Sequence, residues 1–200
     1  MSNIEPNDIK IGLVIMASGL GKRFGGNKLM ARLGDKPLIK WIIDITDGLF
    51  AKRVVVTRSS DVKDLCDFSG IECIVHDFPG RNDTVRLGLN AIMDEADYCF
   101  FMPGDQPLIS KDTVSSLIEE AKNNKDYIVR TSYGDIAGAP VGFPKRFFSE
   151  LLSLPEGKGG NLIAKKNPQL VRAVEAQHEY ELWDVDTGDD LRKIKDILHK

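Results

Sequence analysis

The chain has 200 residues, 42% of them hydrophobic and 28% charged, enough for one sizeable α/β core but short for two, so a single domain over 1–200 is expected. A formal net charge of -3 argues against a nucleic-acid or anionic-membrane surface, because both partners reward a basic excess. No stretch approaches the roughly 18 apolar residues of a spanning helix. The opening MSNIEPNDIK lacks the apolar run of a secretory signal, so a cytoplasmic location is expected.

Ile11, Leu13, Val14, Ile15 and Met16 form a nearly continuous apolar run, which suits a strand buried on both faces of a parallel sheet. It runs straight into a loop holding Gly19, Gly21, Gly25 and Gly26. Glycines take positive φ and let backbone N–H groups approach phosphate oxygens closely. Lys22, Arg23 and Lys28 add full charge, and the layout suits a triphosphate. Two better-known phosphate loops fail by counting. The dinucleotide fingerprint requires Gly or Ala where Phe24 stands, and the Walker loop requires Lys at Asn27 and Ser or Thr at Leu29. The loop instead resembles the nucleotidyltransferase signature A-x-G-x-G-x-R-F-G-x-x-K, carried by Ala17, Gly19, Gly21, Arg23, Phe24, Gly25 and Lys28.

Pro37 opens a helical pattern in which Leu38, Ile39, Ile42, Ile43, Ile45 and Leu49 recur at three-to-four spacing. A buried-strand run at 53–57, an amphipathic helix through Val62, Leu65 and Cys66 closed by Gly70, and a strand at 71–75 follow. Residues 84–93 read as a helix, 97–102 as a strand, 110–123 as a capped helix and 127–130 as a strand. This alternation implies an α/β fold, a mostly parallel sheet with helices on both faces. Gly134, Gly138, Pro140 and Gly142 then punctuate short extended pieces, which reads as an antiparallel excursion. Helical stretches at 145–152 and 160–166 follow, then an extended run at 170–174. Thr187 and Asp190 open a final helix as a capping box with Asp in place of Glu.

Nucleotidyl transfer needs positioned charge and a carboxylate for the metal. Asp105 follows the strand at 97–102 in a Pro103-Gly104 turn, at the edge of the sheet where ligands bind. The competing reading is a turn-stabilising aspartate before a proline. Asp184 and Asp186 share a face by alternation and supply second carboxylates, with Asp186 the preferred ligand; the alternative is that they cap the last helix. Cys66, Cys73 and Cys99 lack C-x-x-C spacing and read as structural thiols in a reducing compartment. His76, His178 and His199 lack metal-ligand spacing, and no serine or cysteine nucleophile with a nearby base is identifiable.

Four further motifs, GDQP at 104–107, R-x-G-L at 86–89, G-x-P-V at 138–141 and D-V-D-T at 184–187, occur in one order and make nearly the whole chain resemble molybdenum cofactor cytidylyltransferases. The resemblance implies a Rossmann-like fold of the nucleotide-diphospho-sugar transferase type. It also implies transfer of CMP from CTP to the terminal phosphate of molybdopterin, with Mg2+ and release of pyrophosphate. By it, Ala17, Ser18, Gly19, Leu20, Gly21, Lys22 and Arg23 would bind base and phosphates, Lys28 the triphosphate, Asp105 the metal, and Arg86 would lie near the nucleotide. Arg23, Lys28 and Asp105 would be catalytic. Guanylyl relatives carry L-A-G-G where this chain has Ala17-Ser18-Gly19, so the chain looks like the cytidylyl branch.

The chain departs from that pattern at Ser18, usually alanine, and at 156–161, where an aspartate and an arginine are missing. Gly138, Pro140, Lys158 and Asp184 remain candidates for holding the acceptor or metal, and Trp183 for lining the acceptor pocket. A molybdoenzyme or its chaperone would receive the product. Rival readings are transfer to a sugar or polyol phosphate, use of GTP, and a nucleotide-binding regulator without chemistry.

Overall fold

The computed structural model describes residues 9–80 and 82–198, so residues 1–8 of the opening segment and His199 lie outside the described residues. The elements in chain order are β1 (Ile11–Ala17), the small pair β2 (Arg32–Leu33) and β3 (Lys36–Pro37), α1 (Leu38–Ile45), β4 (Lys52–Thr57), α2 (Ser60–Phe68) and β5 (Glu72–Val75). Then come α3 (Asp83–Ile92), β6 (Tyr98–Pro103), α4 (Lys111–Asn123), β7 (Ile128–Tyr133) and β8 (Ile136–Pro144). Helices α5 (Phe148–Leu152) and α6 (Asn161–Lys166), strand β9 (Val171–Glu175) and helix α7 (Gly188–Leu198) complete the order.

Seven strands form one sheet in the order β5-β4-β1-β6-β8-β7-β9. β1 pairs in parallel with β4 and β6, β4 with β5, and β7 with β9. β8 runs antiparallel to both β6 and β7, which is the excursion the Gly- and Pro-rich stretch predicts. Leu13, Ile15 and Ala17 of β1 face a layer built by α1, α2, α4 and α7, while Val14 faces α3, α5 and α6. Both faces of β1 are therefore buried, which explains its apolar run. Gly88 lets α3 lie directly on β1, because a Cβ there would stand 2.4 Å from Val14 Cγ1.

Several boundaries differ from the periodicity: the strand read at 127–130 runs on to Tyr133, and the Gly- and Pro-punctuated pieces form one strand, Ile136–Pro144. The apolar pattern runs to Leu49, but α1 ends at Ile45, where Thr46 Oγ1 donates back to the Ile42 carbonyl at 2.7 Å and Gly48 takes φ +70°. Leu49 still packs on the core from the turn. The stretch 145–152 divides into a 3-10 turn at Lys145–Phe147 and α5. All three cysteines are free thiols, with Cys66 and Cys99 buried. No described helix is long and apolar enough to cross a membrane.

The chain leaves β1 toward β4 and β5, then returns to the opposite side of β1 at β6. That reversal makes a topological switch point, and the carboxyl ends of β1 and β6 open a crevice there. The backbone N–H of Gly104 donates to the Met16 carbonyl at 2.9 Å, joining the two strand ends.

Candidate active site

The glycine loop is held by its own backbone. Phe24 N–H and Gly25 N–H both donate to the Gly21 carbonyl, at 2.9 and 3.1 Å. Gly21 has φ +57°, and a Cβ there would lie 2.4 Å from the Gly26 carbonyl oxygen, so the turn requires glycine. Asn27, which occupies the Walker lysine position, donates through Nδ2 to Ser59 Oγ at 2.7 Å and Asp61 Oδ2 at 3.2 Å. It anchors the end of the loop to the start of α2.

Lys28 follows in a 3-10 turn, Lys28–Met30. Its Nζ donates to Asp105 Oδ2 at 2.5 Å and to Asp186 Oδ1 at 3.1 Å, while Arg23 Nη2 holds the second Asp186 oxygen at 2.7 Å. Side-chain exposure is 8% for Lys28, 20% for Asp105, 37% for Asp186 and 73% for Arg23, so Lys28 is the enclosed centre of the cluster. Burial alone would lower the Lys28 pKa, but hydrogen bonds and charge from Asp105, then Asp186, outweigh it and raise it. The Asp184 carboxyl is pushed up to about 6, by burial first and then by the charges of Asp105 and Asp186.

A cleft of about 730 Å³ opens over these groups. Ser18, Gly19, Leu20, Gly21, Lys22, Arg23, Lys28 and Asp105 all line it, together with Asp186. Its β4–β5 side carries Arg58, Pro79, Gly80 and Thr84.

Other residues read from the sequence stand elsewhere. Ala17 is buried at the end of β1, its carbonyl accepting from Thr57 Oγ1 at 3.0 Å. The structure does not bring Arg86 into the cleft: its Nε and Nη2 donate to the Leu152 and Leu154 carbonyls, at 3.1 and 2.9 Å, and Nη1 meets Asp83. The charge therefore fastens α3 to the chain after α5. Gly138 lies in β8 beneath Leu182, where a Cβ would stand 2.7 Å from Leu182 Cγ. Pro140 follows a cis bond, and its carbonyl accepts from Thr131 Oγ1 at 3.3 Å. Lys158 is exposed in the loop between α5 and α6.

Two placements around the cleft have no local sequence signal. His76 Nε2 lies 2.8 Å from Ser18 Oγ, 58 positions away, so the structure supplies the serine–histidine contact that the sequence does not reveal. Glu181, 1% exposed, accepts from Ser110 N, Thr113 Oγ1, Gln177 N and His178 N. It fixes the turn Glu179–Leu182 against the start of α4. The next residues are then carried to the end of β6, where Gln106 Nε2 donates to the Leu182 carbonyl at 3.2 Å and Val185 N–H to the Asp105 carbonyl at 2.9 Å. That register brings Asp186 opposite Lys28. The capping box forms as read, with Thr187 N–H donating to Asp190 Oδ2 at 2.8 Å and Asp190 N–H to Thr187 Oγ1 at 3.2 Å.

Known proteins agree with this architecture. A probable molybdenum cofactor guanylyltransferase of Natranaerobius thermophilus is 29% identical over 118 residues, 58% of this chain and 57% of the relative. The 2-C-methyl-D-erythritol 4-phosphate cytidylyltransferase of Endomicrobium trichonymphae is 28% identical over 123 residues, 58% of this chain and 56% of the relative. The chain thus spans little more than half the length of these two curated relatives. Rv0371c of Mycobacterium tuberculosis H37Rv superposes with a TM-score of 0.82 at 25% identity, over 94% of this chain and 98% of that one. A manganese complex of Rv0371c superposes with a TM-score of 0.76 at 23% identity, over 94% of this chain and 98% of that one. A match across residues 13–174 shows that the chain belongs to the family of MobA-like NTP transferase domains.

Proposed function

We propose that the chain transfers a CMP unit from CTP to the terminal phosphate of molybdopterin or a closely similar phosphorylated pterin, releasing pyrophosphate. The observation that carries this reading is the meeting of the glycine loop, Lys28 and the Asp105–Asp186 pair in one cleft at the switch point. An acceptor phosphate oxygen attacks the α-phosphorus, and the new P–O bond forms as the bond to the β-phosphate bridging oxygen breaks. The leaving pyrophosphate takes that electron pair. Lys28 and Arg23 neutralise charge on the phosphates, and the loop N–H groups hold them in line.

Asp105 and Asp186 would hold a divalent cation, with Mg2+ the proposed one. The convergence of oxygens from both carboxylates on one cationic nitrogen supports that reading. Among the described residues no group of three or more His, Cys, Asp or Glu side chains is placed to hold a metal. Two carboxylates suffice for Mg2+, whose remaining sites are filled by water and substrate phosphates. When bound, the cation would offset phosphate charge and polarise the α-phosphoryl group.

A smaller cavity of about 350 Å³ lies beside Asp184 and is lined by Leu182, Trp183, Asp190, Lys193 and Ile194. Trp183, 38% exposed, offers an aromatic face there, and Asp184 a carboxyl able to receive ring N–H donors. These features suit a flat heteroaromatic acceptor. Ala17-Ser18-Gly19 in place of a glycine pair favours CTP over GTP. A cytoplasmic molybdoenzyme or its chaperone would take up the product. The likeness to a 2-C-methyl-D-erythritol 4-phosphate cytidylyltransferase supports a second reading, in which the acceptor is a polyol or sugar phosphate.

Pyrophosphate release measured with Mg2+ across the four nucleoside triphosphates, with and without molybdopterin, tests the reading. Release is expected with CTP and molybdopterin together. Release with a polyol or sugar phosphate moves the assignment to the second reading, and preference for GTP overturns the cytidylyl assignment. Nucleotide binding without pyrophosphate release for any acceptor makes the chain a regulator instead.

A further inference from the structure

Ser18 Oγ lines the cleft, donates to the Val56 carbonyl at 3.1 Å and lies 2.8 Å from His76 Nε2. A carbonyl oxygen only accepts, so the Ser18 proton is committed to Val56. His76 must then donate its Nε2–H to Ser18, which leaves Nδ1 as a bare acceptor. The surroundings of Nδ1 agree: it is buried with no hydrogen-bond partner, and an orphan acceptor is tolerated better than an orphan N–H. His76 is 8% exposed and stacks on Phe78 at a centroid distance of 6.0 Å. Burial first, and then the Arg58 charge, lower its pKa against the opposing pull of Asp83 and Asp77, so the ring is neutral at pH 7. With its proton spent and one lone pair filled, Ser18 Oγ offers the cleft a lone pair and no proton.

Lys28, Arg23, Asp105 and Asp186 fix the phosphate and metal end of the cleft. The base is left the β4–β5 side, where Ser18 lines the cleft together with Arg58, Pro79, Gly80 and Thr84. We propose that Ser18 and His76 together select the base: Ser18 Oγ accepts from an exocyclic amino group at the 4-position of a pyrimidine, and His76 is the positioning residue that fixes the polarity of that hydroxyl. This rests on the nucleotidyl-transfer reading and adds to it discrimination between CTP and UTP. A 4-keto oxygen at the same place would set lone pair against lone pair. Sites that hydrogen-bond a substrate group reject the analogue that leaves a buried polar atom unpaired. Without His76 the hydroxyl is free to turn and donate, and the discrimination relaxes.

Dissociation constants for CTP and UTP, measured by calorimetry on the whole chain with Mg2+ and no acceptor, test this. Wild type is expected to bind CTP at least about tenfold more tightly than UTP. Ser18→Ala should bring the ratio near one by weakening CTP. His76→Phe should bring it near one by strengthening UTP. His76→Gln, which can still donate an N–H to Ser18, should restore the preference. Equal affinity of wild type for the two nucleotides overturns the inference without needing any variant, and leaves the transfer reading to the pyrophosphate assay. A His76→Phe protein that weakens both nucleotides equally shows a merely structural histidine and also overturns it. Failure of every triphosphate to bind overturns both this inference and the reading beneath it.

Discussion

The Lys28 ammonium lies 2.5 Å from Asp105 and 3.1 Å from Asp186, with 8% of its side chain exposed. Lys28→Ala is expected to lower turnover about a hundredfold or more, the usual cost of losing a preorganised donor to transition-state charge. It should also destabilise the protein, since Asp105 then loses its cation and only Arg23 is left to offset Asp186. Breaking a buried pair costs about 3–5 kcal/mol; Asp186 is 37% exposed, so solvent screening brings the expected loss to about 1–3 kcal/mol. Mg2+ should raise the melting temperature of the variant more than that of wild type, by replacing the lost cation. Pyrophosphate release and melts with and without Mg2+ check both effects, and a folded variant within a few-fold of wild-type turnover removes Lys28 from the mechanism. Lys28, Arg23 and Asp105 could be read toward one cleft because each stands in or just beyond a loop leaving a strand, where an α/β sheet opens to ligands; the alternation that put Asp184 and Asp186 on one face has no strand beneath it, since 183–187 is irregular chain. Arg86 was not, because a cation on a helix gives no direction, and this one is spent on the Leu152 and Leu154 carbonyls. His76 and Glu181 act through partners 58 and 71 positions away, which no local pattern reports.

The segment 179–186 shows the same limit at the level of an element. It forms no strand, although the alternation of Asp184 and Asp186 suggests one, yet it delivers Asp186 to Lys28 because Glu181 ties it to α4. Burial pulls the Glu181 pKa upward, but hydrogen bonds from Thr113, Ser110 and His178 prevail and hold it below 4.5. A depressed carboxylate stabilises the fold fully above its unfolded pKa and loses that contribution as pH falls through the folded value. Glu181→Gln is therefore expected to cost about 2–3 kcal/mol at neutral pH, the worth of hydrogen bonds to a charged group. The gap from wild type should shrink as the medium is acidified below pH 4.5. Urea unfolding at a series of pH values reads this directly, and a gap that stays constant or widens in acid contradicts the role. Strands and helices with clear periods were legible, whereas the end of α1 depended on a Thr46 side-chain bond that apolar spacing does not encode.

At the scale of the whole molecule, the strand–helix alternation revealed the parallel sheet, and the Gly- and Pro-rich stretch revealed that β8 would break it. What the sequence could not show is that the cleft is walled by both ends of the chain: Arg23 and Asp186 touch across 163 positions. A ligand held by both walls must stabilise the entire fold, because unfolding either wall releases it. CTP and Mg2+ together are thus expected to raise the melting temperature by more than the sum of their separate shifts, since each supplies charge that the other needs. At about a hundred times its dissociation constant a ligand contributes about 2.7 kcal/mol. For a chain of this length that is a rise of about 5–10 °C. Asp105→Asn should keep a modest shift with CTP alone but lose the extra increment that Mg2+ adds, because one of the two carboxylates then carries no charge. Thermal melts of both proteins under the four ligand conditions decide the matter, and an increment that survives in Asp105→Asn would show that metal and nucleotide do not meet at the end of β6.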